Sequence, residues 1–288
     1  KMRQYIKQLN KRHESKCIEQ NIRIVRGAAS FINESTISIN NEQYSAKNIL
    51  IAVGGTALNL DVPGFDFCDT SYEFFNWELQ PKRVALIGGG YIAVELASIL
   101  NALGTEVDIV IRKEHVLRGF DQDIRTFLQD KYQARGITIH NNVTPKSILQ
   151  RETNAFTVNL SNNTELTVDK VIQCVGRAPN TQALNCNNAN IKLSETGGVI
   201  VNSGYQSSNP CVYALGDCID REQLTPVAIA QARQWADMMY SKTPFKVSFD
   251  IIPTAIFSLP EAASVGLSEA DAKIAFDDVT TKKLSFNP

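Results

Sequence analysis

Val84-Ala85-Leu86-Ile87-Gly88-Gly89-Gly90-Tyr91-Ile92-Ala93-Val94-Glu95-Leu96-Ala97, running on to Val107-Asp108-Ile109-Val110-Ile111-Arg112, is the most informative stretch of this 288-residue chain. Val84 to Ile87 is a short apolar run without charge, which suits a strand buried on both faces. Three glycines follow at once. Ile92, Val94, Leu96, Ala97, Ile99 and Leu100 then give a helix with one apolar side, and Gly104 ends it. Val107 to Ile111 reads as a second buried strand. A strand, a glycine turn, a helix and a strand in about thirty residues make one βαβ unit.

The spacing Gly88-x-Gly90-x-x-Ala93 adds chemistry to this unit. Gly88 allows the tight turn, and Gly90 lets a pyrophosphate approach the backbone. Ala93, in place of a third glycine, is still small enough for close helix–strand packing. The helix N-terminus turns N–H groups and the positive end of its dipole toward the phosphates. A glycine triplet alone would equally suit a plain flexible turn. The flanking strand, helix and strand favour a dinucleotide site.

The end of the second strand selects the dinucleotide. NAD sites usually place an acidic residue there, bonded to the ribose hydroxyls. Here the chain reads Ile109-Val110-Ile111-Arg112, with no carboxylate, and then supplies Lys113, His115 and Arg118. A 2′-phosphate needs fixed cations, and guanidinium forks match its oxygens. The expectation is NADPH over NADH. The competing reading is a solvated basic loop.

Length allows two domains, and 43% hydrophobic residues allow sizeable cores. A net charge of −1 gives no reason to expect nucleic acid or an acidic membrane as partner. No stretch reaches the length of a membrane span. Lys1-Met2-Arg3-Gln4 carries no apolar signal region, so the expected compartment is cytoplasmic. The six cysteines (Cys17, Cys68, Cys174, Cys186, Cys211, Cys218) form no CxxC or CxxxxC pair and read as idle reduced thiols. No metal site is expected. His13, His115 and His140 lie in polar segments that read as exposed, with no proton-transfer role.

Taken in order, residues 2 to 19 read as a solvated helix. Ile22 to Phe31, Thr36 to Ile39 and Gln43 to Val53 read as a small antiparallel meander. It ends at Gly54-Gly55, either a place of close backbone approach to a ligand or a plain turn. Asp69-Thr70-Ser71 is a possible helix start. Asp121 to Ala134 reads as a helix. Strands follow at Ile137 to Ile139, Ala155 to Leu160 and Glu165 to Val168, with a hairpin turn at Asn162-Asn163. Lys170 to Gly176 is another apolar strand ending on glycine. Arg177 beyond it either reaches a cofactor, as strand ends in open α/β sheets do, or is a surface arginine. Val199 to Val201 reads as a strand opened by Gly197-Gly198. Val212 to Leu215 leads to Gly216-Asp217, where Asp217 either accepts bonds from a polyol or caps its own loop. Thr225 as N-cap and Pro226 as first helical residue start a helix reaching Tyr240. A new unit opens near Ile251, and Leu284 to Pro288 has a strand-like pattern.

Together these segments resemble one family. They include Ile51 to Gly55, Gly88 to Glu95, Val116 to Asp121, Val175 to Asn180, Ala214 to Asp217, Leu224 to Ala228 and Pro253 to Ser258. The chain is similar to the pyridine nucleotide–disulfide oxidoreductases, and within them to the glutathione reductases. The resemblance implies an α/β fold with Rossmann-like FAD- and NAD(P)-binding domains. An NADPH domain would be inserted in a partial FAD domain, before the start of an α+β interface domain. The implied boundaries are 1–60 and 180–249 for FAD, 61–179 for NADPH and 250–288 for the interface. Gly88, Gly89, Gly90, Tyr91, Ile92, Ala93, Glu95, Gly176 and Arg177 would line the NADPH site, with Tyr91 covering the nicotinamide pocket. Arg112 and Arg118 would hold the 2′-phosphate. Ala29, Gly54, Asp217 and Thr225 would touch FAD, and Arg233 a glutathione carboxylate, although Arg233 would equally suit a surface ion pair.

The family's first FAD glycine motif, its redox pair CxxxxC and its histidine–glutamate acid–base pair do not occur in these residues. No catalytic residue is therefore assigned. The expectation is an internal portion of a homodimeric reductase that moves electrons from NADPH through FAD and a dithiol to glutathione disulfide, inactive by itself. The rivals are a reductase of the same family with another disulfide or a metal as substrate, and a non-catalytic nucleotide-binding module.

Overall fold

The computed structural model describes residues 2–151, 155–242 and 247–285. In chain order its elements are α1 (Met2–Glu19), β1 (Ala29–Asn33), β2 (Thr36–Ile39), β3 (Glu42–Ser45), β4 (Ile49–Ile51), β5 (Gly55–Ala57), α2 (Ser71–Phe74), β6 (Arg83–Ile87), α3 (Tyr91–Ala102), β7 (Glu106–Val110), α4 (Gln122–Ala134) and β8 (Thr138–His140). There follow β9 (Pro145–Gln150), β10 (Phe156–Leu160), β11 (Glu165–Val168), β12 (Lys170–Gln173), β13 (Arg177–Pro179), β14 (Val212–Ala214), α5 (Thr225–Tyr240), β15 (Thr254–Ile256), β16 (Ala262–Ser264) and α6 (Glu269–Ala275). The described residues of 1–55 and 178–246 form one compact unit; those of 56–177 and 247–288 form another.

The second unit is built on a parallel sheet ordered β12-β6-β7-β8. Along β6 the side chains alternate. Val84 and Leu86 join a core with Ala93, Val94, Ala97 and Leu100 of α3 and with Leu128 and Tyr132 of α4. Ala85 and Ile87 join a different core, with Ile148, Val158, Leu160 and Val168 of the antiparallel sheet β11-β10-β9. These four residues are at most 2% exposed, and only Arg83 at the strand's start reaches solvent. A strand covered on both faces has no room for charge, which is why the run reads as continuously apolar. Each large side chain buried this way stabilises by about 1.5–3 kcal/mol.

The helices of this unit start and meet by specific contacts. Asp121 caps α4, accepting the Asp123 N–H at 2.9 Å. Tyr132 Oη donates to Val94 O at 2.7 Å and ties α4 to α3 in the core. Burial pushes the Tyr132 hydroxyl up to about 12, so it stays a neutral donor. The hairpin β15–β16 joins the same unit through Ile256, 1% exposed in the α3/α4 core. Arg135 Nη1 donates to Leu259 O at 2.7 Å, and Glu95 Oε1 accepts the Phe257 N–H at 2.9 Å. The segment from 247 to 285 therefore packs within the same compact unit as α3 and α4.

The first unit carries the antiparallel meander β1-β2-β3. It also carries a parallel pair, with Ile49, Leu50 and Ile51 of β4 opposite Val212, Tyr213 and Ala214 of β14. Its core gathers Phe31, Ile51, Leu184, Ile191, Val212, Ala214 and Leu215.

Several sequence expectations are corrected. The first meander strand starts at Ala29, not Ile22, because Gly27 breaks it at φ +156°, with Ile39 Cγ2 2.6 Å from the position of an added Cβ. Residues 43–53 are two strands, because β3 pairs with β2 while β4 pairs with β14. Val199 to Val201 forms no ladder: Val199 N–H bonds Cys218 O, whereas Ile200 N–H bonds Lys192 O. Leu224, not Thr225, is the cap of α5, and Thr225 is the first helical residue. His115 and His140 are half-buried rather than exposed. Residues 286–288 of the strand-like C-terminal pattern lie outside the described residues.

Candidate functional site

The three glycines at the end of β6 do different jobs. At Gly88, φ is +128°, and an added Cβ would lie 2.2 Å from Cys174 O, so the strand crossing itself demands glycine. At Gly89 an added Cβ would lie 2.8 Å from Ile111 Cγ2. Gly90 has φ −79° and ψ 177°, open to any residue, and a Cβ there would meet nothing within 4 Å. No atom of this unit requires Gly90 to be glycine. The clearance lies at the start of α3, where a pyrophosphate would approach, so these residues fit a dinucleotide.

α3 has no side-chain cap. Its first helical bond runs from Val94 N–H to Gly90 O at 3.1 Å, which leaves the Ile92 and Ala93 N–H groups ahead of it as anion donors. Ala93 is fully buried, which allows the close packing of α3 on the sheet. Tyr91 begins the helix and is partly exposed. Glu95, one turn further, is half-buried, and its Oε1 is engaged by the Phe257 N–H.

The arginines expected to read a 2′-phosphate flank this turn. Arg112 follows Ile111, whose Cγ2 touches the Gly89 position. Arg118 follows Leu117, whose N–H donates to Gly89 O at 2.6 Å. Both arginines are exposed, and among the described residues neither has a hydrogen bond or ion pair. The loop's carboxylate, Glu114, faces His115 Nδ1 at 3.9 Å. Sequence reading passed over Asp108, which stands twenty residues past Gly88. It is a mid-strand residue of β7 whose Oδ1 lies 2.7 Å from His140 Nε2 on β8, so it is occupied within the sheet. The signal was its position inside the strand rather than at its end.

Gly176, at φ +130°, accepts the Leu58 N–H through its carbonyl at 3.0 Å, and Arg177 follows it in β13, half-buried. The thiols nearby are held in the protonated form. Burial pushes Cys68 and Cys174 up to about 12, and all six cysteines are free.

In the first unit Gly54 and Asp217 each lie three residues past the paired ends of β4 and β14. That is the side of a parallel pair where ligands bind. Gly54 has φ +68° and open space where a Cβ would stand. Asp217 is half-buried, and among the described residues its carboxylate has no partner, so it does not cap its own loop. The first turn of α5 packs on the same loop. An added Cβ at Gly216 would lie 3.3 Å from Ala228 Cβ, and Gly216 N–H donates to Gln231 Oε1 at 2.7 Å. Thr225 is exposed at the start of α5, and Ala29 is half-buried at the start of β1. Arg233 is exposed on α5 without an ion pair among the described residues.

Fold and site thus define a dinucleotide-binding α/β protein with a second set of strand ends suited to another ligand. The chain belongs to the pyridine nucleotide-disulphide oxidoreductase family, whose model matches residues 2–232. It is 34% identical over 300 residues to glutathione reductase from Nostoc sp., covering 98% of this chain and 64% of that protein. It is 35% identical to glutathione reductase from Burkholderia cepacia, covering 93% of this chain and 60% of that one. Among solved structures it is similar to the HOCl-induced flavoprotein disulfide reductase RclA from Escherichia coli, with TM-score 0.83 and 26% identity over 88% of this chain and 59% of that one. The Cu(II) complex of RclA gives TM-score 0.85 over 92% of this chain and 62% of that one. The chain therefore spans about three fifths of the length of these relatives. Membership of an NAD(P)H-dependent flavoprotein disulfide reductase family implies FAD and NAD(P)H. Among the described residues, no helix is long and apolar enough to cross a membrane.

Proposed function

We propose that this chain is the NADPH-binding portion, and part of the FAD-binding portion, of a reductase whose whole, homodimeric protein acts on glutathione disulfide. Arg112 and Arg118, each following a residue that meets Gly89 and without a competing ion pair among the described residues, carry this reading. Gly88 to Ala93 receive the pyrophosphate, and the two guanidinium groups hold the 2′-phosphate. Tyr91, Glu95, Gly176 and Arg177 line the nicotinamide side. Ala29, Gly54, Asp217 and Thr225 contact FAD, with Asp217 accepting bonds from a polyol. When bound, the nicotinamide supplies a hydride and the flavin accepts it. No two cysteines here have the spacing of the redox pair, so the dithiol step is not carried by these residues.

The glutathione assignment draws on the similarity to glutathione reductases and on the exposed Arg233. A reductase of another disulfide or of a metal is the competing reading, supported by the likeness to RclA and its Cu(II) complex. Turnover of the whole protein with glutathione disulfide and with Cu(II) separates the two. The nucleotide reading is tested directly on this chain. Replacing both arginines, Arg112→Ala with Arg118→Ala, is expected to weaken NADPH about 100-fold and NADH less than about twofold. Equal losses for both nucleotides, measured by calorimetry, would sink the phosphate assignment.

A further inference from the structure

The 112–118 loop has no ladder of its own, and its middle is buried: Val116 is 0% and Leu117 1% exposed. Buried backbone polar groups must find partners. Two side chains of α4 supply them. Gln129, 8% exposed, accepts the Val116 N–H through Oε1 at 3.3 Å and donates through Nε2 to Glu114 O at 3.3 Å. Arg125 donates through Nε to Val116 O at 2.9 Å and through Nη2 to His115 O at 3.4 Å. Its Nη1 is spent on Gln122 Oε1 at 3.1 Å. Three successive carbonyls and one N–H of the loop are thus fastened to α4. On the far side Leu117, at φ +56°, donates its N–H to Gly89 O. A leucine holds that conformation only where its surroundings impose it.

We infer that Gln129 and Arg125 are positioning residues for recognition of the 2′-phosphate. They clamp residues 114–116 so that Leu117 reaches the glycine turn and Arg118 emerges beside it. Arg125 is a third guanidinium near the site, but two of its nitrogens are engaged by the loop and the third by Gln122 of its own helix, so it braces the loop instead of binding the phosphate. The inference rests on the NADPH reading above. It adds that selectivity for the extra phosphate depends on α4, which would touch no part of the nucleotide.

The test uses the 288-residue chain and calorimetric titration with NADPH and NADH. The variant Gln129→Met with Arg125→Met removes the clamp while conserving volume and an apolar stem. It is expected to lose about tenfold in NADPH affinity and less than about twofold in NADH affinity. Arg125→Lys keeps the charge and a single donor nitrogen in place of the fork, and is expected to lose about threefold, again for NADPH only. Equal losses for both nucleotides, or no loss in either variant, would overturn the clamp and leave α4 with a structural role. The Arg112→Ala with Arg118→Ala variant is the reference. If it separates the nucleotides and the α4 variants do not, the clamp alone fails. If it does not separate them, the NADPH reading fails and the clamp falls with it. Should the double methionine variant not fold, as read by circular dichroism, Arg125→Lys decides the question.

Discussion

The two units both end parallel strands on glycine, but they assemble that end differently. In the nucleotide unit β6, the glycine turn, α3 and β7 are contiguous, and 29 residues from Val84 to Arg112 bring strand, turn, helix and cations together. In the other unit β4 and β14 are neighbours in the sheet although Ile51 and Ala214 are far apart in the chain. Gly54 and Asp217 become one strand end only after folding. The contiguous site is built from the strand outward, and its first glycine is required by the crossing with Cys174. The assembled site has glycine where no neighbour crowds it. Structural necessity and ligand clearance coincide in one turn in the first case and are separated in the second.

The sharpest way to break this contrast is to add one methyl group at each glycine. Gly88→Ala forces a Cβ to within 2.2 Å of a backbone carbonyl at φ +128° and is expected to cost more than about 3 kcal/mol. Gly54→Ala meets only the strain of φ +68°, about 1–2 kcal/mol. Urea unfolding of the two variants measures the difference, and equal losses would mean that crowding at Gly88 relaxes. Gly90→Ala sharpens the comparison from the ligand's side. It should leave stability within about 0.5 kcal/mol, since φ −79° suits alanine and the space is open. It should weaken both NADPH and NADH about thirtyfold, because the methyl group would occupy the place proposed for the pyrophosphate. Unchanged binding would show that the clearance belongs to something else. In the assembled site, Asp217→Asn keeps the shape and removes the charge. It is expected to lower FAD affinity about tenfold with little change in stability, read by flavin fluorescence on titration.

The same contrast explains what could be read before folding. The strand β6, the turn, α3 and β7 were all legible, because a double-covered strand and an apolar helix face leave their period in neighbouring residues. The hairpin turn at Asn163, φ +66°, was legible for the same local reason. Strand β9 was not. It opens on Pro145, carries Lys146 and Gln150, and gains its register only from β10. Val199 to Val201 showed the opposite error, since this apolar β-branched run finds only a single antiparallel bridge, Val199 opposite Leu193, and no ladder. His140 looked solvent-facing in Ile139-His140-Asn141. Its partner Asp108 is on a different strand and nothing in the local pattern announces the pairing. The clamp of Gln129 and Arg125 was hidden likewise, because a polar residue inside a helix normally reads as surface.

Even the contiguous unit contains one joint made at long range, and it gives the smallest expected effect. Asp121 caps α4 through Oδ1 and accepts the Glu269 N–H through Oδ2 at 2.9 Å, so one carboxylate joins the start of α4 to the start of α6. The Glu269 N–H first and the Asp123 N–H second hold its pKa below the usual aspartate value. A carboxylate depressed on folding stabilises fully above its unfolded pKa, roughly 3.9, and that contribution is lost as pH falls through the lower folded value. Asp121→Ala is therefore expected to cost about 1 kcal/mol at pH 7, the ordinary value of a lost cap. The gap between wild type and variant, measured by urea unfolding from pH 7 downward, should hold to about pH 5 and narrow below about pH 4. A gap that stays constant to pH 3 would mean that the two N–H groups bind a neutral oxygen as well as a charged one.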